Sequence, residues 1–333
     1  MSKQRLFSQK YRFYPTPEQE NFLNRTLGCT RVVYNKALFE HQRDRETNPS
    51  SKWSYNEVSS KLTSWKKDPE LFYLPEVSSV ALQQSLRNLD SAFKNFFKKL
   101  SKFPRFKRKR EGGGITLTKG AFSLKGQELF IAKVKEPLDV VYSRPLPEGL
   151  EPSSITITKK PSGKWFVSFR FEGEATSLPK VSRVLGIDLG LEHFLTTSDG
   201  EKIENPRFYR QYQHKLVKEQ RSLSRKQKGS KNYEKQRVRV ARVHETIVNS
   251  RLDFLHKLST KLIRENQTIR VEDLCITDML KTASKGLRKS ILDASWSEFL
   301  RQLEYKADWY GRTFTGFTAI SKTSQSPRRC YHF

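Results

Sequence analysis

Two short apolar stretches, each carrying a carboxylate, constrain this chain more than any other feature. Val184-Leu-Gly-Ile-Asp-Leu-Gly190 contains Asp188, and Thr268-Ile-Arg-Val-Glu-Asp-Leu274 contains Glu272, 84 positions later. Short apolar runs rich in branched side chains read as strands. An acid buried in such a run is costly unless it is paired, hydrogen-bonded or bound to a cation. The same chain holds 63 Lys and Arg against 35 Asp and Glu, a net charge of +28. Acids kept for a cation inside so basic a chain point to a metal site facing a polyanion, and so to nucleic-acid chemistry.

A length of 333 residues accommodates about two domains. A membrane partner is disfavoured, because no apolar run approaches the ~20 residues needed to span a bilayer. The N-terminus, Met1-Ser-Lys-Gln-Arg5, leads into a strand pattern and not into an apolar signal segment. Cys29, Cys275 and Cys330 are scattered, with no Cys-x-x-Cys pair. That usage predicts a reducing, cytoplasmic setting and no zinc site.

Leu6 to Tyr14 alternates Phe7, Tyr11 and Phe13 with polar residues and predicts a strand. Thr16-Pro-Glu-Gln19 then supplies an N-cap, a proline at the first helical position and a capping-box glutamine. Leu23, Leu27, Tyr34 and Leu38 share one face of the helix that follows. Residues 47–75 read as short helices and loops, and Leu82, Leu86, Leu89, Phe93, Phe97 and Leu100 predict a helix over 79–100. From 115 to 171 short alternating runs separated by Gly, Pro and Lys turns predict a small all-β module, an open barrel. Strands follow at 184–189, 194–198 and 202–204, the last two joined by the hairpin signal Asp199-Gly200. Long basic helices are expected over 209–266, then the strand 268–272. Ser295 with Glu298 predicts a capping box for a helix running to Gly311, followed by a strand-like piece at 313–318.

A strand bearing an acid, two further strands, helix, and another strand ending in an acid form the skeleton of a ribonuclease-H-like nuclease. Two divalent cations about 4 Å apart clamp the attacking and leaving oxygens of a phosphodiester in such sites, and magnesium favours hard carboxylate oxygens. Taken alone, Gly186-Ile-Asp-Leu-Gly190 also suits sugar-kinase and actin-like ATPases, or an Asp that merely caps a turn. His193 lies close enough to reach such a site, although a hairpin-loop role is the simpler expectation. Basic blocks supply the polyanion contacts. Lys94 to Arg110 holds nine Lys or Arg in seventeen residues with Phe96, Phe97, Phe103 and Phe106 interleaved. It could stack and neutralise a single strand, but most of these aromatics are expected in a core, leaving Lys102, Arg105, Lys107 and Arg108 as the contacts. Arg207 to Arg242 holds thirteen Lys or Arg and only Glu219 and Glu234 as acids. Arg225, Lys226, Lys228 and Arg237 are its candidate phosphate ligands, which position a strand without reading sequence.

Read together, these strings resemble the TnpB (OrfB) family of transposon-encoded proteins, relatives of the type V CRISPR effectors. The resemblance runs through Tyr11-Arg-Phe-Tyr-Pro-Thr-Pro-Glu-Gln19, Gly28-Cys-Thr-Arg31, Tyr34-Asn35, Leu82-Gln-Gln-Ser-Leu-Arg-Asn-Leu89 and Phe93-Lys-Asn-Phe-Phe97. It continues through Lys102-Phe-Pro-Arg-Phe-Lys107, Gly186-Ile-Asp-Leu-Gly190, Ser198-Asp-Gly200, Asp253-Phe-Leu-His-Lys-Leu-Ser259, Val271-Glu-Asp-Leu274 and Trp309-Tyr-Gly311. It implies an α/β multidomain architecture: an RNase H-like RuvC domain plus a β-barrel wedge domain with an inserted helical recognition region. The implied division is residues 1–16 as the first wedge strand, 17–110 as the helical region and 111–178 as the rest of the wedge. Residues 179–318 would then be the nuclease domain and 319–333 a divergent tail. It further implies a guide RNA from the transposon end, a double-stranded DNA target with a short flanking motif, and magnesium or manganese held by the catalytic carboxylates Asp188 and Glu272. Gln83 and Gln84, on the 79–100 helix, are the candidates for contacting that motif, since amides read base edges. A monomer associated with the prokaryotic nucleoid is the expected state.

The sequence departs from the family after Ser321-Lys322-Thr323. Ser324 stands where the first cysteine of a zinc ribbon belongs, and neither the ribbon nor the motif carrying a third catalytic acid can be placed. Asp278 and Asp293 lie in the wrong segment to replace it. The expectation is an incomplete RuvC domain, from a frameshifted or truncated gene, without zinc and with cleavage impaired. The alternatives are an active RNA-guided endonuclease and, further off, an actin-like ATPase or a non-catalytic RNA-binding protein.

Overall fold

A computed structural model describes residues 4–109, 112–174, 177–272 and 274–317. The chain divides into two compact units, one of residues 6–173 and one of residues 174–333 with the first five residues. No helix among the described residues is long and apolar enough to cross a membrane.

The unit 6–173 combines a sheet with a helical layer. Strand β1 (Gln4–Tyr14) leads into α1 (Pro17–Thr47) through the expected capping box: the Gln19 amide donates to Thr16 Oγ1 at 3.3 Å, and the Thr16 amide donates to Gln19 Oε1 at 3.1 Å. Helices α2 (Tyr55–Trp65) and α3 (Ser79–Phe97) pack with α1 around Leu38, Leu62, Leu74, Leu82, Leu86 and Phe93. Helix α3 stops at Phe97, short of the expected residue 100, because Lys99 takes the left-handed conformation, with φ of 60°. Then come β2 (Gly113–Thr118), the hairpin β3 (Phe122–Lys125) and β4 (Glu128–Ile131), β5 (Asp139–Val141), β6 (Ser154–Lys159) and β7 (Trp165–Glu174). Five strands pair in the open order β2-β6-β7-β1-β5, with β3–β4 forming a separate two-stranded ladder. The period-2 pattern of β7 buries Trp165, Val167, Phe169 and Phe171 in turn against Tyr11, Phe13, Ile155 and Ile157.

The second unit is a mixed sheet covered by helices. Strands β8 (Val184–Leu189), β9 (His193–Thr197) and β10 (Lys202–Glu204) form the expected antiparallel meander. Helices α4 (Phe208–Ser224) and α5 (Lys231–Glu265) form a hairpin closed by residues 225–230, where Gly229 is left-handed. Strand β11 (Thr268–Glu272) then pairs parallel to β8, and β12 (Thr313–Phe317) pairs parallel to β11, completing the order β10-β9-β8-β11-β12. Between them lie α6 (Ile276–Thr282), α7 (Lys285–Ala294) and α8 (Trp296–Tyr310). Leu185, Ile187 and Leu189 of β8 and Ile269 and Val271 of β11 meet Leu255, Leu262, Phe299 and Leu303 of α5 and α8 in one core. Phe194 anchors it, its ring edge-on to Phe254 and Phe299 at centroid distances of 5.1 Å.

One expected cap does not form. Ser295 sits between two consecutive helices, is left-handed at φ 56°, and donates its hydroxyl to Leu292 O at 2.9 Å. With α7 running to Ala294, Ser295 ends one helix as well as starting the next, so its side chain is unavailable to the amides of α8.

Candidate active site and nucleic-acid interface

The strand period decides where the two acids go. In β8 the buried residues are Leu185, Ile187 and Leu189, and in β11 they are Ile269 and Val271. Asp188 and Glu272 therefore fall on the opposite face, away from the core. The parallel register pairs Ile187 with Val271, so the next step along each strand brings Asp188 beside Glu272. Neither is buried as the apolar runs suggested: Asp188 is exposed and Glu272 half-exposed. Alternation, not burial, accounts for acids within apolar strands. Desolvation, and then the adjacent Asp188 charge and a hydrogen bond to its carboxyl, hold the Glu272 carboxyl above the usual carboxylate range. Two carboxyls this close, on the water-facing side of strand ends, are a hard-oxygen donor set suited to magnesium or manganese.

The glycines and the Ser198-Asp-Gly200 string hold this strand end in place. A Cβ on Gly190 would stand 2.9 Å from His193 O, so the return from β8 to β9 requires glycine there. The Gly186 amide donates to Ser198 Oγ at 3.1 Å, and the Ser198 amide donates to Gly186 O at 2.9 Å. Asp199 pairs with Arg183 at the start of the same strand. His193 sits opposite Glu204 in the β9–β10 ladder.

No group of three or more His, Cys, Asp or Glu that could hold a metal is present among the described residues. Asp278 is engaged with Lys281 at 2.6 Å and with Cys275 Sγ at 2.9 Å. Asp293 accepts from the Tyr209 amide through both oxygens at 3.0 Å and from Arg251 at 2.8 Å. It caps α4, whose own N-cap residue Arg207 is left-handed and offers no side-chain acceptor. Ser321 to Ser324, and the tail expected at 319–333, lie outside the described residues.

In the hairpin α4–α5, Arg225 and Lys228 are exposed and Lys226 half-exposed. Arg237 is committed to Glu234 at 2.8 Å, one turn back on α5. Composition alone missed His214, Lys218 and Arg221. With Arg225 and Lys226 they line a concavity of about 500 Å³. His214, Lys218, Arg221 and Arg225 recur at spacings of four, three and four, so each stands about one turn, ~5.4 Å, from the next. No carboxylate pairs with Lys218, Arg221, Arg225 or Lys226 among the described residues. A row of unneutralised cations at turn intervals suits the phosphates of one nucleic-acid strand.

In the other unit Gln83 is exposed and Gln84 half-buried, on the side of α3 away from Leu82, Leu86 and Leu89. Lys102, Arg105 and Arg108 are exposed. Lys107 departs from the expectation: its ammonium lies 3.9 Å from the centre of the Tyr34 ring, and burial pushes its pKa down. It packs on α1 and is not an outward phosphate ligand, because Asn35 holds the Lys107 backbone against α1 through both its amide and its carbonyl.

The profile OrfB_IS605, described as "Probable transposase", matches residues 167–283, and HTH_OrfB_IS605, described as "Helix-turn-helix domain", matches residues 1–49. Within the latter the described residues form one strand and one continuous helix. A Streptomyces pristinaespiralis protein named "Putative RNA-guided DNA endonuclease" is 50% identical over 91% of this chain and 75% of its own length. The "Putative RNA-guided DNA endonuclease InsQ" of Escherichia coli K12 is 33% identical over 92% of this chain and 79% of its own. A Cas12f1 chain, solved by cryo-electron microscopy in complex with sgRNA and target DNA, shares the fold at a TM-score of 0.57 and 14% identity, over 90% of this chain and 73% of that one. This chain belongs to the TnpB/OrfB family of RNA-guided DNA endonucleases.

Proposed function

We propose that this chain is a transposon-associated, RNA-guided DNA-binding protein, acting as a monomer, whose RuvC-type site retains two carboxylates and cleaves DNA poorly. The carrying observation is the shared register of β8 and β11, which sets Asp188 and Glu272 side by side on the water-facing side of the sheet. Asp188 and Glu272 would hold magnesium or manganese. Such an ion, when bound, supplies Lewis-acid polarisation of a phosphodiester and activation of water. The chain's own residues hold the two carboxyls together through the β8–β11 ladder and gather cations along α4. Guide RNA and a target duplex with a short flanking motif are the partners that the family and the basic surfaces support. The guide pairs with target DNA while the protein reads only the flanking motif.

The impaired cleavage proposed here rests on the departure from the family pattern after Thr323 and is supported by how Asp278 and Asp293 are held. Asp293 is held by Arg251 and the start of α4, Asp278 sits in an exposed pair with Lys281, and neither forms a group of three potential metal ligands with Asp188 and Glu272 among the described residues. A two-cation site short of one carboxylate holds at least one ion weakly and loses transition-state stabilisation. RNA co-purified with the expressed chain would be sequenced, and the complex incubated with magnesium and DNA matching that RNA. Retarded but uncut DNA is the expected result. Efficient cutting would overturn the impairment, and failure to bind RNA or matched DNA would overturn the reading as a whole.

A further inference from the structure

The segment 102–108 has no regular secondary structure, yet one face of it is held. Asn35, midway along α1, clamps it at two points: the Lys107 amide donates to Asn35 Oδ1 at 2.8 Å, and Asn35 Nδ2 donates to Lys107 O at 3.0 Å. On the same side Phe103 packs edge-on to Phe93 and Phe96 at centroid distances of 5.6 and 5.3 Å, Pro104 is buried, and Lys107 lies over Tyr34. What the clamp turns outward is Phe106, 43% exposed, between exposed Arg105 and Arg108. Phe106 thus presents part of an aromatic ring to solvent from a backbone-held segment, between two exposed cations and outside the buried core clusters.

We propose that Phe106 is a base-stacking platform for an unpaired stretch of RNA, with Arg105 contacting the adjoining phosphate and Asn35 acting as a positioning residue. The inference rests on the reading of the chain as an RNA-guided protein and adds a site to it. Stacking needs a base already out of a helix, and RNA is recognised chiefly through such unpaired segments. A ring needs no particular base, which suits a contact to RNA whose sequence varies. The two-point amide clamp holds the backbone as a neighbouring strand would, so the ring is in position before the ligand arrives.

The test uses the full chain and fluorescein-labelled oligouridine, with oligothymidine as a second probe, over a salt series. F106A is expected to weaken oligouridine binding roughly five- to hundred-fold without changing the salt slope, since no charge is lost, and F106W to restore it. R105A is expected to flatten the slope by about 0.7. N35A is expected to weaken binding as F106A does. N35D, which keeps the acceptor for the Lys107 amide and loses the donor, is expected to fall between. Because Phe106 is outside the core, F106A is expected to leave the melting temperature unchanged, which separates lost stacking from lost folding. Equal affinity of F106A and the native chain at every salt concentration would overturn the platform. Loss confined to oligothymidine would overturn the assignment to RNA. A native chain that binds neither probe would overturn the RNA-guided reading itself.

Discussion

Lys306 offers a prediction whose size can be worked out. It lies on α8, 6% exposed, and its ammonium donates to three acceptors on α5: His256 O at 3.0 Å, Ser259 Oγ at 2.7 Å and Thr260 Oγ1 at 2.8 Å. All three protons are used, but no carboxylate neutralises the charge at hydrogen-bond distance. Burial pushes its pKa down from 10.5 to about 8, opposed by the charge of Glu298. The folded state therefore binds fewer protons than the unfolded chain between pH 8 and 10.5, and stability contributed by this group rises with pH through that window. The full displacement corresponds to about 3 kcal/mol. K306M keeps the unbranched side chain and removes the charge. It leaves acceptors on α5 unpartnered, although Ser259 Oγ still reaches Leu255 O at 2.6 Å and Gln302 Oε1 at 3.0 Å. A net gain of roughly 1–2 kcal/mol at pH 7 is expected, since replacing buried charge by a packed apolar chain is often stabilising. Near pH 10 the gain should vanish, as the native lysine sheds its proton. Urea denaturation of both proteins across pH 7 to 10, followed by tryptophan fluorescence, measures the difference while other titrations cancel. A difference independent of pH, or a variant much less stable at pH 7, would refute the reasoning.

Three further predictions follow from the same unit. Because the folded pKa of Glu272 is raised, its contribution to stability is greatest at acid pH and is lost as pH rises through that value. E272Q should therefore melt higher than the native chain at neutral pH without metal, and should lose the ~2.7 kcal/mol that magnesium at a hundred times its Kd confers. In the native chain that magnesium effect should fade on acidification, and a full effect in E272Q would exclude the pair as a cation site. D293A removes the cap of α4 and strands Arg251, so a loss of about 3 kcal/mol is expected, with D293N intermediate; unchanged denaturation midpoints would count against the tertiary cap. R221Q with R225Q should flatten the logarithmic salt dependence of duplex binding by about 1.8, and an unaltered slope would remove α4 from the interface.

Periodicity in the sequence makes most elements legible. The Thr16–Gln19 box, the α3 face from Leu82 to Phe93, the β8–β9–β10 meander and the Gly311 stop depend on contacts a few residues apart, which local residue order largely determines, whereas Phe97 and Leu100, expected on that face, are exposed. The segment 273–294 was not legible. Helices α6 and α7 are short and largely exposed, and α7 is fastened through Asp293 to the start of α4 and to Arg251, 84 and 42 residues away. That second helix also explains why Ser295 fails as a cap despite an appropriate neighbour in Glu298.

Residue order alone determined that this chain carries two strand-borne acids amid an excess of cations, and the co-linear strings determined its family. Tertiary structure decided what those residues can do. The parallel pairing of β8 with β11 turned two distant carboxylates into one site, whereas Asn35 turned Lys107 inward and Phe106 outward from a single basic string. The physical reason is the same in both cases. Side-chain type travels with the sequence, but which face a side chain occupies is set by backbone pairing with residues far away in the chain.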